Sequence, residues 1–218
     1  MSQTFWFTSD LHLSHDLVAK LRGFSSTEEM DKKLYEMFDV VKKGDIVYIL
    51  GDIGWEPKVV ENFLNYLATK KKPSKVVIIE GNHDQRWLGK FPLHPRIEVR
   101  QTMTVNADKN GHKPIFLSHY PQLIYNRSHY GIYQLHGHGH AETSDRPLLD
   151  AMEMGKRINV NCELHDYKLW SRDDIEAEME NKPQNIDYFL CKGTDKQKKK
   201  VLKMLKKINK TLKGLEKL

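Results

Sequence analysis

The chain has 218 residues, of which 39% are hydrophobic and 29% charged, a balance that fits an ordinary globular protein and excludes a disordered or fibrous one. The formal charge of +6 is unevenly spread: residues 192–218 hold eleven lysines against Asp195 and Glu216, a local +9 that leaves residues 1–191 at −3. A basic total is therefore no reason to expect nucleic-acid binding by the body of the chain.

Strand-like sequence begins at once with "TFWFTSDLH", an apolar run that ends in Asp10 and His12. With that start and no apolar run of membrane-spanning length, neither a signal peptide nor a transmembrane helix is expected, and the cytoplasm is the expected location, with no membrane partner. Two cysteines, Cys162 and Cys191, offer no disulfide framework and agree with a reducing compartment. A helix is expected from Ser26, which with Glu29 forms a capping-box pattern, through Met30, Leu34, Met37, Phe38 and Val41. "DIVYILGD" is the next strand and ends in Gly51-Asp52. Pro57 then opens a helix carrying Val60, Phe63, Leu64 and Leu67. "KVVIIEGNHD" is a strand closed by Gly81, Asn82, His83 and Asp84. "PIFLSHYP" ends near His119, and "IYQLHGHGH" in His136, His138 and His140. "RINVNCEL" reads as a further strand, and Ser171 to Met179 as a helix that Ser171 could cap.

In the lysine-rich tail, Val201, Leu205, Ile208, Leu212 and Leu215 are spaced four, three, four, three, a heptad seam on a basic amphipathic helix. Docking on the chain's own domain and homo-oligomerisation are equally weighted readings. The expected organisation is one domain over residues 1–191 and this helix over 192–218.

The polar residues share a location. Asp10 and His12, Asp52, Asn82 and His83, His119, and the three alternating histidines each fall at or just beyond a strand's end, where α/β folds gather ligands. Carboxylate, amide and imidazole without thiolate suit Mn²⁺, Fe²⁺, Zn²⁺, Mg²⁺ or Ni²⁺ and argue against a structural cysteine-type zinc site. Seven such groups exceed what one cation needs, and two cations sharing a carboxylate is the economical arrangement. Alternation places His136, His138 and His140 on one strand face, so composition does not say which two are ligands.

The ordered blocks Asp10-x-His12, Gly51-Asp52, Gly81-Asn82-His83-Asp84, His119 and Gly137-His138-Gly139-His140 resemble the calcineurin-like metallophosphoesterases. "SDLHLSH", "RGFSSTEEMD", "YILGDIGW", "LSHYP" and "INVNCEL" resemble a small bacterial and phage-type branch, and the likeness covers roughly residues 4 to 180. It implies an α/β fold of two mixed β-sheets packed as a sandwich flanked by helices. It implies Asp10, His12 and His140 on one metal and Asn82, His119 and His138 on the other, with Asp52 bridging. Two divalent cations are implied, Mn²⁺ first among the ions named above. His83 becomes the candidate general acid, and Asp84, counted with it as catalytic, is expected to orient His83 or a neighbouring group. The implied reaction is attack of a metal-bridging hydroxide on a phosphoester, preferentially a diester. The alternatives are a phosphomonoesterase, a nuclease or phosphatase acting on nucleic-acid ends, with a nucleotide or nucleic acid as substrate, and a non-catalytic binding subunit on the same fold. His15 is expected to be a solvated surface residue, and Arg22, Arg86 and Arg127 are possible phosphate contacts.

Overall fold

The computed structural model describes residues 3–108, 111–140 and 155–215, with side chains in the last helix as far as Lys206. Strands β1 (Phe5–Thr8), β2 (Ile46–Ile49), β3 (Lys75–Ile79) and β4 (Ile97–Arg100) lie parallel, in the order β4-β3-β2-β1, and β9 (Trp170–Ser171) joins β1 antiparallel. A second sheet holds β5 (Thr102–Val105), β6 (Ile115–Ser118), β7 (Tyr133–His136) and β8 (Arg157–Asn159) in sequence order, parallel except for β5. Both sheets are mixed, as expected from the sequence.

Successive strand side chains point to opposite faces, and this alternation divides the core into layers. Tyr48 and Leu50, Val77 and Ile79, and Phe7 face the second sheet, where they meet Ile115, Leu117, Tyr133, Leu135 and Ile158. Val47, Ile49, Val76 and Ile78 face the other way, against Met30, Leu34 and Phe38 and against Val60, Phe63, Leu64 and Leu67. Those residues come from α2 (Thr27–Glu36) with its 3₁₀ extension and from α3 (Pro57–Tyr66) with its wider last turn. A strand buried on both faces reads as a continuous apolar run, which is why these strands stand out in the sequence.

Three local expectations are corrected. The Ser26 hydroxyl accepts from the Glu29 N–H, but the Glu29 carboxylate accepts from the N–H and hydroxyl of Ser25, so the reciprocal half of the box is shifted one residue outward. "RINVNCEL" is a strand only through Asn159, because the Asn161 side chain accepts from the Glu163 N–H and opens a 3₁₀ turn over Cys162–His165. The histidines do not share a strand face, since β7 ends at His136 and His138 has φ 68°. Ser171 caps α4 (Arg172–Asn181) with a complete capping box to Asp174. The short α1 (Asp16–Leu21) and α5 (Ile186–Lys192) have no counterpart in the sequence reading, and α6 (Asp195–Leu215) follows α5 and packs on it. Val201 of the expected seam is buried, whereas Ile208, Leu212 and Leu215 lie outside the described side chains. Among the described residues no helix is long and apolar enough to cross a membrane.

Candidate metal centre

The carboxyl-terminal ends of β1, β2, β3, β6 and β7 open on one place. There the chain leaves β1, β2 and β7 through strained backbone: Asp10, His12, Asp52 and His138 all have φ between 54° and 68°. A non-glycine residue in that region costs about 1–3 kcal/mol, and such residues cluster where a site requires a particular side-chain direction. The strands' continuations hold these turns by backbone bonds. Asp10 N–H donates to Gly51 O at 3.0 Å and His12 N–H to Asp52 O at 3.0 Å.

Two groups of ligand-type side chains result. Asp10, His12 and His140 form one, Asp52, His119 and His138 the other, with the ligand atoms of each group all within 4.8 Å of one another. Asn82 joins the second, its Oδ1 lying 3.0 Å from His119 Nε2 and 3.1 Å from His138 Nδ1. Asp52 Oδ2 faces both groups, at 3.8 Å from His12 Nε2 and 3.5 Å from His119 Nε2. All seven expected metal residues are thus assembled. His136 is buried and belongs to neither group.

The imidazoles are aimed by what their other nitrogens do. His119 Nδ1–H donates to Leu50 O at 2.7 Å, leaving Nε2 as the nitrogen that faces Asn82 and Asp52. His140 Nδ1 lies 3.2 Å from the Glu163 carboxylate, which turns its Nε2 toward His12 Nε2 at 3.2 Å. Glu163 is itself held by Arg22 Nε at 2.6 Å, and Arg22 also donates to Leu11 O and Asp10 O. Arg22 is therefore spent on holding the β1–α1 loop and Glu163, which corrects its reading as a phosphate contact. Asn159 and Asn161 both donate to Gly139 O and so fix the peptide between His138 and His140. This buttress of Arg22, Glu163 and the two asparagines went unread in the sequence, because its members are up to 141 residues apart.

Electrostatics show what the assembly needs. Burial raises the Asp10 carboxyl above its ordinary range despite the opposing pull of His119 and His140. Burial, with His140 close by, holds His12 well below the usual histidine value. Burial also lowers His140, but the Glu163 hydrogen bond and Asp10 outweigh it and hold the ring above normal. The two buried carboxylates, Asp10 and Asp52, repel each other unless positive charge lies between them, and divalent cations would supply it. The donor set, oxygen and imidazole nitrogen without sulfur, fits such ions.

Glycine at position 81 is required by close approach rather than by φ, because a Cβ there would stand 2.6 Å from Asp52 N and closer still to its carboxylate. His83 N–H donates to Asp52 Oδ1 at 2.9 Å, and its ring packs 5.4 Å from that of His12 and 5.6 Å from that of Trp55. Of the two roles expected of Asp84, orienting His83 or a neighbouring group, its contacts are with the neighbouring groups. It is fully buried, and its two oxygens accept from the N–H groups of Asp52, Ile53 and Gly81 and from Trp87 Nε1, so it positions the Asp52 and Gly81 backbones rather than the His83 ring. His15 is more than a solvated residue. It caps α1 and packs on Trp55 with ring centres 4.2 Å apart. Arg127 is exposed, at φ 64°, and precedes a 3₁₀ turn.

A two-sheet α/β scaffold presenting two metal-binding-capable groups at its strand ends defines a metal-dependent hydrolase. The chain belongs to the calcineurin-like phosphoesterase family, whose model matches residues 3–208, and the hydrolase is accordingly one of phosphoesters. It is 30% identical over 201 residues to the gene 66 protein of Mycobacterium phage L5, covering 80% of this chain and 93% of that one. The gene 66 protein of Mycobacterium phage D29 is 29% identical over 188 residues, 74% of this chain and 89% of its own. Among solved structures, the protein of unknown function AQ665 from Aquifex aeolicus shares the fold, with a TM-score of 0.58, 23% identity, and coverage of 81% of this chain and all of that one.

Proposed function

We propose that the protein hydrolyses phosphodiesters with two divalent cations, Mn²⁺ first, held by Asp10, His12 and His140 and by Asn82, His119 and His138, with Asp52 shared between them. The observation that carries this reading is the position of Asp52, one oxygen facing both groups while the other accepts from the His83 backbone. When bound, two such ions lower the pKa of water and neutralise the charge of in-line displacement. The side chains do the rest. Asp84 and Gly81 keep the Asp52 carboxylate in place, Glu163 and Leu50 O aim His140 and His119, and His83 stands beside the shared carboxylate where it can deliver a proton to a departing oxygen.

That last role serves an alkoxide leaving group, of a diester or a monoester alike, since the alkoxide needs a proton and a positioned acid is worth about 10² to 10⁴ in rate. His83→Ala is expected to slow hydrolysis of an alkyl diester by that factor and of a nitrophenyl diester far less, with metal content unchanged. Equal losses on both substrates would remove His83 from the acid's role. Comparing bis(4-nitrophenyl) phosphate with 4-nitrophenyl phosphate under the same metal tests the preference for diesters.

A further inference from the structure

The His83 side of the site carries a cation that the chemistry above does not use. The Arg86 guanidinium carbon stands 3.4 Å from the centre of the Trp55 ring, in van der Waals contact with it. Trp55 packs in turn on His15 at 4.2 Å and faces His83 at 5.6 Å. The two distances from Trp55 place the guanidinium carbon within 9.0 Å of the His83 ring centre. Asp84 is buried two residues before Arg86, and the 3₁₀ turn over Asp84–Arg86 carries the arginine outward, where it is exposed.

The stack has a chemical consequence. A guanidinium laid on an aromatic ring keeps its N–H donors in its own plane and is held in one orientation, so less freedom is lost when the fork closes on a phosphate. An exposed arginine on a mobile stem would not have that advantage. Among the described residues no carboxylate forms an ion pair with this guanidinium, and His12, His15 and His83 line the same wall.

We propose that Arg86, held on Trp55, binds a second phosphate of the substrate, carried by the leaving group beyond the scissile bond. The inference rests on the hydrolase reading with His83 on the leaving-group side and narrows its substrates to esters whose leaving group bears a further phosphate. Neighbouring phosphates of one strand are joined through a single sugar, a span that the distance of up to 9.0 Å between the His83 ring centre and the Arg86 guanidinium carbon accommodates. A nucleic-acid strand and a doubly phosphorylated nucleotide share this chemistry.

The test uses the full chain with Mn²⁺ and three kinds of probe. The dinucleotide TpT has no second phosphate, pTpT and TpTp have one at either end, and thymidine 3′,5′-bisphosphate against thymidine 5′-monophosphate represents the nucleotide source. The expected result is that pTpT or TpTp exceeds TpT in kcat/KM by roughly 10- to 100-fold, mostly through KM, the scale of a charge-assisted hydrogen bond. In Arg86→Ala that preference collapses toward one. Arg86→Lys recovers only part of it, since lysine keeps the charge but loses the fork and the stack, and Trp55→Leu weakens it in the same direction. Preference among dinucleotides alone assigns the strand as source, and preference for the bisphosphate assigns the nucleotide. Hydrolysis of TpT, pTpT and TpTp at equal efficiency, or a preference that survives Arg86→Ala, overturns the phosphate shelf and leaves the hydrolase reading standing. No metal-dependent hydrolysis of any probe overturns both.

Discussion

Asp84 is 0% exposed, with the N–H groups of Asp52, Ile53, Gly81 and Trp87 directed at its two oxygens. In Asp84→Asn one oxygen becomes a second donor that confronts those N–H groups, so the loss should be about 3 kcal/mol of unfolding free energy, with bound metal falling because the Asp52 loop loses its anchor. Denaturant titration and metal analysis check the two parts. Cys162 and Cys191 differ as sharply. Burial pushes the Cys162 thiol up to about 11, and its Sγ contacts Asp10 O, whereas Cys191 is exposed. One thiol per chain should react with an aromatic disulfide reagent at pH 8 in the folded protein, and two after denaturation. Two fast-reacting thiols would mean that the layer beneath Asp10 opens readily. At this scale the residue types, Asp, Asn and His at strand ends, were legible in the sequence, while the choice among His136, His138 and His140 came from the family resemblance. Glu163 and Arg22 were not legible, since the backbone turn that brings Glu163 to His140 follows from an asparagine cap rather than from any periodicity.

Among the elements, β1, β2, β3, β6 and β7 were readable as apolar runs because both faces of each are covered. "IEVR" and "TMTV", which form β4 and β5, were not: they are edge strands, partly exposed, with no run of buried residues to mark them. Helix α1 was missed for a similar reason, having six residues with only Ala19 buried. The C-terminal helix α6 buries Val201 beside Ile186 and Phe189 of α5, so its first turns dock on the domain. All seven metal-type residues lie in elements upstream of it. Deleting residues 197–218 is therefore expected to leave Mn²⁺ binding intact while exposing the α5 face and lowering solubility or changing the oligomeric state, as read by calorimetry and light scattering. Loss of Mn²⁺ binding in the truncated chain would make the helix part of the site's support.

For the molecule as a whole, the metal-type residues come from both sheets: Asp10, His12, Asp52 and Asn82 follow strands of the first, His119, His138 and His140 strands of the second. Metal bound between them would tie the sandwich together at its open end, where carboxylates and imidazoles gather. A ligand at a hundred times its Kd stabilises a fold by about 2.7 kcal/mol, so saturating Mn²⁺ should raise Tm by several degrees and EDTA should reverse the shift. Substituting Asp52 should weaken metal at both groups at once, because its carboxylate faces each. The most direct measurement is a calorimetric titration of the EDTA-stripped protein with Mn²⁺, counting ions per chain in the wild type and in Asp52→Asn. Two ions in the wild type, with binding at both positions weakened in the variant, are expected. A single ion in the wild type, or two bound as tightly in the variant, would contradict a dimetal centre built around Asp52.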